Sequence, residues 1–124
     1  PRKRLARIGR QAAAIADYAV FVSDNAGHGE RGALNGGMAP ENVRAFQGFE
    51  EAVNYLRPLL GEGDVILFKA GLHQQLTRVF YGLLGDVRCR IPLCDRPMVC
   101  DDCPEFKNPE LVKRVNEELT VRAN

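Results

Sequence analysis

A lysine placed between a buried strand and a helix start is the residue here best suited to chemistry. Gly61-Glu62-Gly63-Asp64 reads as a tight turn and Val65-Ile66-Leu67-Phe68 as a buried strand. Lys69-Ala70-Gly71 then forms an elbow, and a helix follows it with His73 in its first turn. A cation at the carboxyl end of a strand, beside glycine and a helix N-terminus, is suited to phosphate or carboxylate. Open α/β sheets hold their ligands at that end. A second group, Asp24, Asn25 and His28, follows the apolar run Asp17–Ser23 and is expected at the same crevice. His28 and His73 are the only histidines, and neither has a partner at a spacing that would define an acid or base.

The third group is cysteine. Cys89, Cys94, Cys100 and Cys103 follow the pattern C-x4-C-x5-C-x2-C. The x2 pair has the spacing of a metal knuckle, where one turn offers two thiolates to one ion. Four thiolates within fifteen residues can close a tetrahedral zinc site, which would be structural because no ligand position is left open. An iron–sulfur centre, disulfides or thiols are the other readings. With no export signal, a reducing cytoplasmic setting is expected, which favours metal over disulfides.

Gly27-His28-Gly29-Glu30-Arg31-Gly32 matches G-x-G-x-x-G. A dinucleotide fingerprint begins almost at the strand's end and runs into a full helix. Here three residues intervene and Gly36-Gly37 follows, so a glycine-rich loop is expected, with one short helix near Glu30–Leu34. No G-x-x-x-x-G-K-[ST] loop occurs, so ATP is not bound through a phosphate loop of this chain's own.

These groups need a scaffold. At 124 residues, 45% apolar and 27% charged, the composition is that of a soluble globular protein. A net charge of +1 gives no general attraction to nucleic acid or membranes. Five of the first ten residues are basic, but no aromatics interleave with them, so a solvated helix face is expected. No apolar run approaches the ~18 residues of a membrane span. Leu5, Ile8, Ala12 and Ile15 mark a helix over residues 2–16. Val43–Phe46 reads as a short strand, and Phe49, Ala52, Val53, Leu56 and Leu60 as the stripe of the next helix. Leu72, Leu76, Val79, Phe80 and Leu83 mark another. Asp86–Pro104 is aperiodic. Asn108 then caps a helix from Pro109 to Val121, with Leu111, Val112, Val115 and Leu119 on one face. Strands alternating with helices predict an α/β fold with a short, mostly parallel sheet.

In order and spacing, several segments resemble the C-terminal domain of Mur ligases, closest to the type that adds D-alanyl-D-alanine to the muramoyl tripeptide in peptidoglycan synthesis. They are Ile15–Val22, the glycine-rich loop, Val43–Phe46, Phe49-Glu50-Glu51-Ala52-Val53 with Leu56, and Gly63–Gly71. The resemblance covers residues 5–84 and implies a Rossmann-like three-layer domain over residues 1–85, incomplete at its start. A Cys-rich segment (86–104) and a C-terminal helix (105–124) would lie outside the common pattern. It further implies an ATP-dependent amide ligase whose central domain holds ATP and magnesium. The part seen here would close over an amino acid or peptide substrate, inactive alone. Lys69, Ala70, Gly71 and His73, with Asp24, Asn25 and His28, would face substrate and nucleotide. The family's Lys-Gly-Ser-Arg stands here as Lys69-Ala70-Gly71-Leu72, without the hydroxyl and the arginine. A binding module without catalysis, stapled by zinc, is the alternative.

Overall fold

The computed structural model of the chain describes residues 1–70, 76–85, 87–89, 100–104, 106 and 109–123. The helices are α1 (Arg2–Ile15), α2 (Ala26–Asn35), α3 (Phe49–Leu56), α4 (Thr77–Leu84) and α5 (Pro109–Ala123). The strands are β1 (Ala19–Val22) and β2 (Val43–Phe46). The result is a small α/β fold with a two-stranded parallel sheet. Two compact units divide the chain, Pro1–Ala52 and Val53–Asn124. Among the described residues no helix is long and apolar enough to cross a membrane.

The first unit is a β1–α2–β2 crossover with α1 laid against α2. β1 and β2 pair in register Ala19↔Val43, Val20↔Arg44, Phe21↔Ala45 and Val22↔Phe46. One further bond, Ser23 N–H to Phe46 O at 3.0 Å, extends the pairing. Strand periodicity of two turns Ala19 and Phe21 to the helices, where they pack on buried Ala33, Met38 and Val43 beside Ala13.

The G-x-G-x-x-G run is not a loop. It is the body of α2, which is ten residues long rather than the one short helix expected near Glu30–Leu34. Its glycines are there for close approach. A Cβ on Gly32 would overlap the Ala6 carbonyl of α1, one on Gly29 the Phe21 ring, and one on α1's Gly9 the Gly29 carbonyl. Glycine costs a helix about 1 kcal/mol against alanine, and the packing of two backbones against each other offsets that cost here. α2 ends in a Schellman turn: Met38 N–H bonds Ala33 O and Gly37 N–H bonds Leu34 O, both at 3.0 Å. Gly37 supplies the required left-handed backbone at φ 97°.

The second unit is built from rings. Phe68, Phe80, Tyr81 and Phe106 form a ladder of edge-to-face contacts at 5.9, 5.1 and 5.2 Å. Tyr81 and Phe106 are 3% and 2% exposed. Val53 closes on Gly82, where a Cβ would stand 2.7 Å from its Cγ2, and Arg57 donates to Gly82 O. Arg114 of α5 donates to Leu84 O at the end of α4, at 3.1 Å. α3 stops at Leu56 because Pro58 follows.

One expected element is absent. Val65–Phe68 pairs with no strand among the described residues, and Val65 and Leu67 are 95% and 80% exposed. Apolar β-prone residues favour extension, but a strand exists only where a neighbouring strand takes its N–H and C=O groups. Ile15, expected on the apolar stripe of α1, is 82% exposed at the helix end. Asn108 lies outside the described residues.

Candidate ligand-binding edge

Asp24, Asn25 and His28 sit where the sequence points, at the carboxyl end of β1 and the start of α2. The corner is shaped by buried Ser23, 8% exposed. Its Oγ accepts from Asn25 N–H at 3.2 Å, and its carbonyl accepts from Ala26 N–H at 3.2 Å. Asn25 Nδ2 donates to Asp24 Oδ1 at 3.1 Å, which aligns the exposed carboxylate. Gly27 faces open space: among the described residues no atom lies within 4 Å of where a Cβ would stand.

His28 is half-buried and does have a partner. Arg31, one turn further along α2, sets Nη2 2.8 Å from His28 Nδ1. A guanidinium only donates, so Nδ1 accepts and the imidazole is neutral with its proton on Nε2. Desolvation first, then the charges of Arg31 and Arg2, hold the His28 pKa below its ordinary 6.5. Neither arginine is among the residues singled out from sequence. For Arg31 the signal was available, since residues three apart on a helix are neighbours.

This corner therefore carries a carboxylate, an imidazole tied to a guanidinium, and the N-terminal peptide groups of a ten-residue helix. It can meet an amine and a carboxylate at once. It does not cradle a dinucleotide, because Gly29 and Gly32 are turned to Phe21 and α1 rather than to a ligand.

The elbow behaves otherwise. Its turn forms as expected: Gly61 N–H bonds Asp64 Oδ2 at 2.8 Å and Gly63 takes φ 88°. Lys69 and Ala70 follow Val65–Phe68 and are exposed, in the second unit. Gly71 and His73 lie outside the described residues. The basic residues of α1, Arg2, Lys3, Arg4, Arg7 and Arg10, are exposed, as expected of a solvated face.

Cys89, Cys100 and Cys103 stand as thiols rather than in disulfides. Cys100–Asp102 forms a 3-10 turn that Cys103 N–H closes onto Cys100 O at 3.0 Å. That is the backbone a two-thiolate knuckle requires, and Cys100 is buried within it at 7% exposure. Among the described residues no three His, Cys, Asp or Glu side chains form a group that could hold a metal. Cys89 therefore does not complete the knuckle, and Cys94 lies outside the described residues.

No family model matches the chain, nor does any curated protein or solved structure. Fold and corner together define the class: a small α/β protein with a polar corner at the carboxyl end of β1.

Proposed function

We propose that the chain is a binding module, non-catalytic by itself, that takes a zwitterionic amino acid or peptide terminus at the β1–α2 corner. The observation that carries this reading is the pairing of opposite charges on one corner. Asp24 offers a carboxylate to an ammonium, and Arg31 with the positive end of the α2 dipole attracts a carboxylate. The one lone pair of neutral His28, on Nδ1, is taken up by Arg31, so His28 could accept a proton only by turning away from its partner. It therefore serves to orient Arg31 rather than to act as a base.

In the Mur-type setting, the same module is the closing part of an ATP-dependent amide ligase, and its fold is completed to a Rossmann-like three-layer domain. The central domain is then its partner and supplies ATP and magnesium, while the module presents the incoming amine. Lys69, exposed and unpaired with a strand, is available to offset phosphate charge only in that assembly. Zinc, where bound, would use Cys100 and Cys103 as its knuckle and would be structural, without taking part in a reaction. The exposed run Val65–Leu67 favours the alternative, a module kept for partner binding and detached from any ligase.

Calorimetric titration with free amino acids and dipeptides tests the reading. Binding is expected, and each of Asp24→Asn and Arg31→Gln should weaken it about tenfold, the value of one charge-assisted hydrogen bond. No affinity for any of these ligands, or ATP turnover by the chain alone, would overturn it.

A further inference from the structure

A second site lies at the other end of the same sheet. Ala13, Ala16, Asp17, Tyr18, Gly37, Met38, Ala39 and Asn42 line an open cleft of about 560 Å³. Asp17 and Tyr18 precede β1, and Ala39 and Asn42 precede β2, so the cleft opens at the amino ends of the strands. It is thus distinct from the Asp24 corner and belongs wholly to the first unit.

The ends of α1 and α2 that border the cleft have one sign. The cleft lies at the carboxyl ends of α1 and α2, and neither helix has a basic residue in its last turn. The negative end of each helix dipole is therefore left without a countercharge from its own helix. Ala16 N–H caps Ala12 O at 2.8 Å, and the α1 carbonyls after it point out of the helix end. Among the described residues that line the cleft, Asp17 alone is charged, and it is exposed. The basic residue adjoining the lining in sequence, Arg44, directs its guanidinium to the carbonyls of Pro40 and Val43, both at 2.8 Å.

The remaining lining suits a cation on an alkyl stem. Tyr18, 49% exposed, offers a ring face, which attracts ammonium and guanidinium groups. Ala13, Ala16, Met38 and Ala39 offer apolar surface to methylenes. Asn42 adds an amide oxygen.

We infer that this cleft binds an organic cation, an alkyl ammonium or guanidinium, with Asp17 as counter-ion and Tyr18 as its aromatic wall. Such a group arrives either on a free polyamine or on a lysine or arginine side chain of a peptide.

Amide chemical shifts of the full chain, titrated with spermidine, with a blocked lysine peptide and with an uncharged diol of similar length, decide the matter. Shifts at Gly37, Met38 and Asn42 are expected with one or both cations and not with the diol. Response to spermidine alone identifies the source as a free polyamine, and response to the peptide as a basic side chain. Asp17→Asn should weaken binding at least about threefold, and ionic strength of about 1 M should abolish much of it. Because Asp17 is exposed, the variant's unperturbed amide spectrum serves as the folding control. Equal affinity in Asp17→Asn, equal response to the diol, or shifts confined to the Asp24 corner would overturn the inference.

Discussion

The two units solve the packing problem in opposite ways. Pro1–Ala52 brings backbones together: Gly9 and Gly32 let α1 and α2 approach until a single added carbon would collide with a carbonyl. The second unit fills its interior with the rings of Phe68, Phe80, Tyr81 and Phe106. A small-residue contact has little freedom to enlarge, because what it would strike is a carbonyl and not a mobile side chain. An aromatic ladder has little freedom to shrink, because each ring removed leaves a void its neighbours cannot fill.

That contrast can be broken experimentally, and the ladder offers the largest effect. Phe106→Ala should cost about 3–5 kcal/mol, because a ring 2% exposed is lost from a tight contact with Tyr81. Phe68→Ala, at the 36% exposed end of the same ladder, should cost only about 1 kcal/mol. Urea denaturation would measure both, and equal costs would mean that the ladder is not what holds the unit.

Next in size is Gly32→Ala, which forces a Cβ onto the Ala6 carbonyl and should destabilise by about 1–3 kcal/mol. Gly27→Ala, in the same motif but facing open space, should be neutral or stabilising by up to about 1 kcal/mol. If the two substitutions behave alike, the packing role assigned to the motif is wrong.

The smallest effect is a pH dependence in the first unit. The His28 pKa is depressed in the folded protein relative to 6.5, so the unfolded chain binds the proton more readily. The stability this group contributes is complete above 6.5 and is lost as pH falls through the folded value. Between about pH 7 and pH 5 the wild type should therefore lose more stability than His28→Gln. Parallel curves for the two proteins would remove His28 from the account.

Much of the first unit was readable before folding. β2 spans the four residues its apolar pattern marks, and α1 and β1 fall within a residue or two of the expected bounds. Those elements rest on local periodicity, which needs no knowledge of distant partners. The Asp24, Asn25 and His28 corner followed from them, since a strand's carboxyl end can be located once the strand is. Arg31 was missed because the glycines around it argued for a loop, and only a helix makes it a neighbour of His28.

What the amino-acid order determined by itself was where the chain turns, which stretches alternate or recur, and which residues capable of chemistry follow the first strand. Tertiary structure decided the fate of the glycines and of the lysine. Glycine's cost to a helix is local, whereas its benefit exists only when a second backbone lies against it, as α1 does against α2. Val65–Phe68 carries the residues of a strand, but a strand is a shared set of hydrogen bonds. With no strand paired to it among the described residues, the segment stays exposed, and Lys69 beside it.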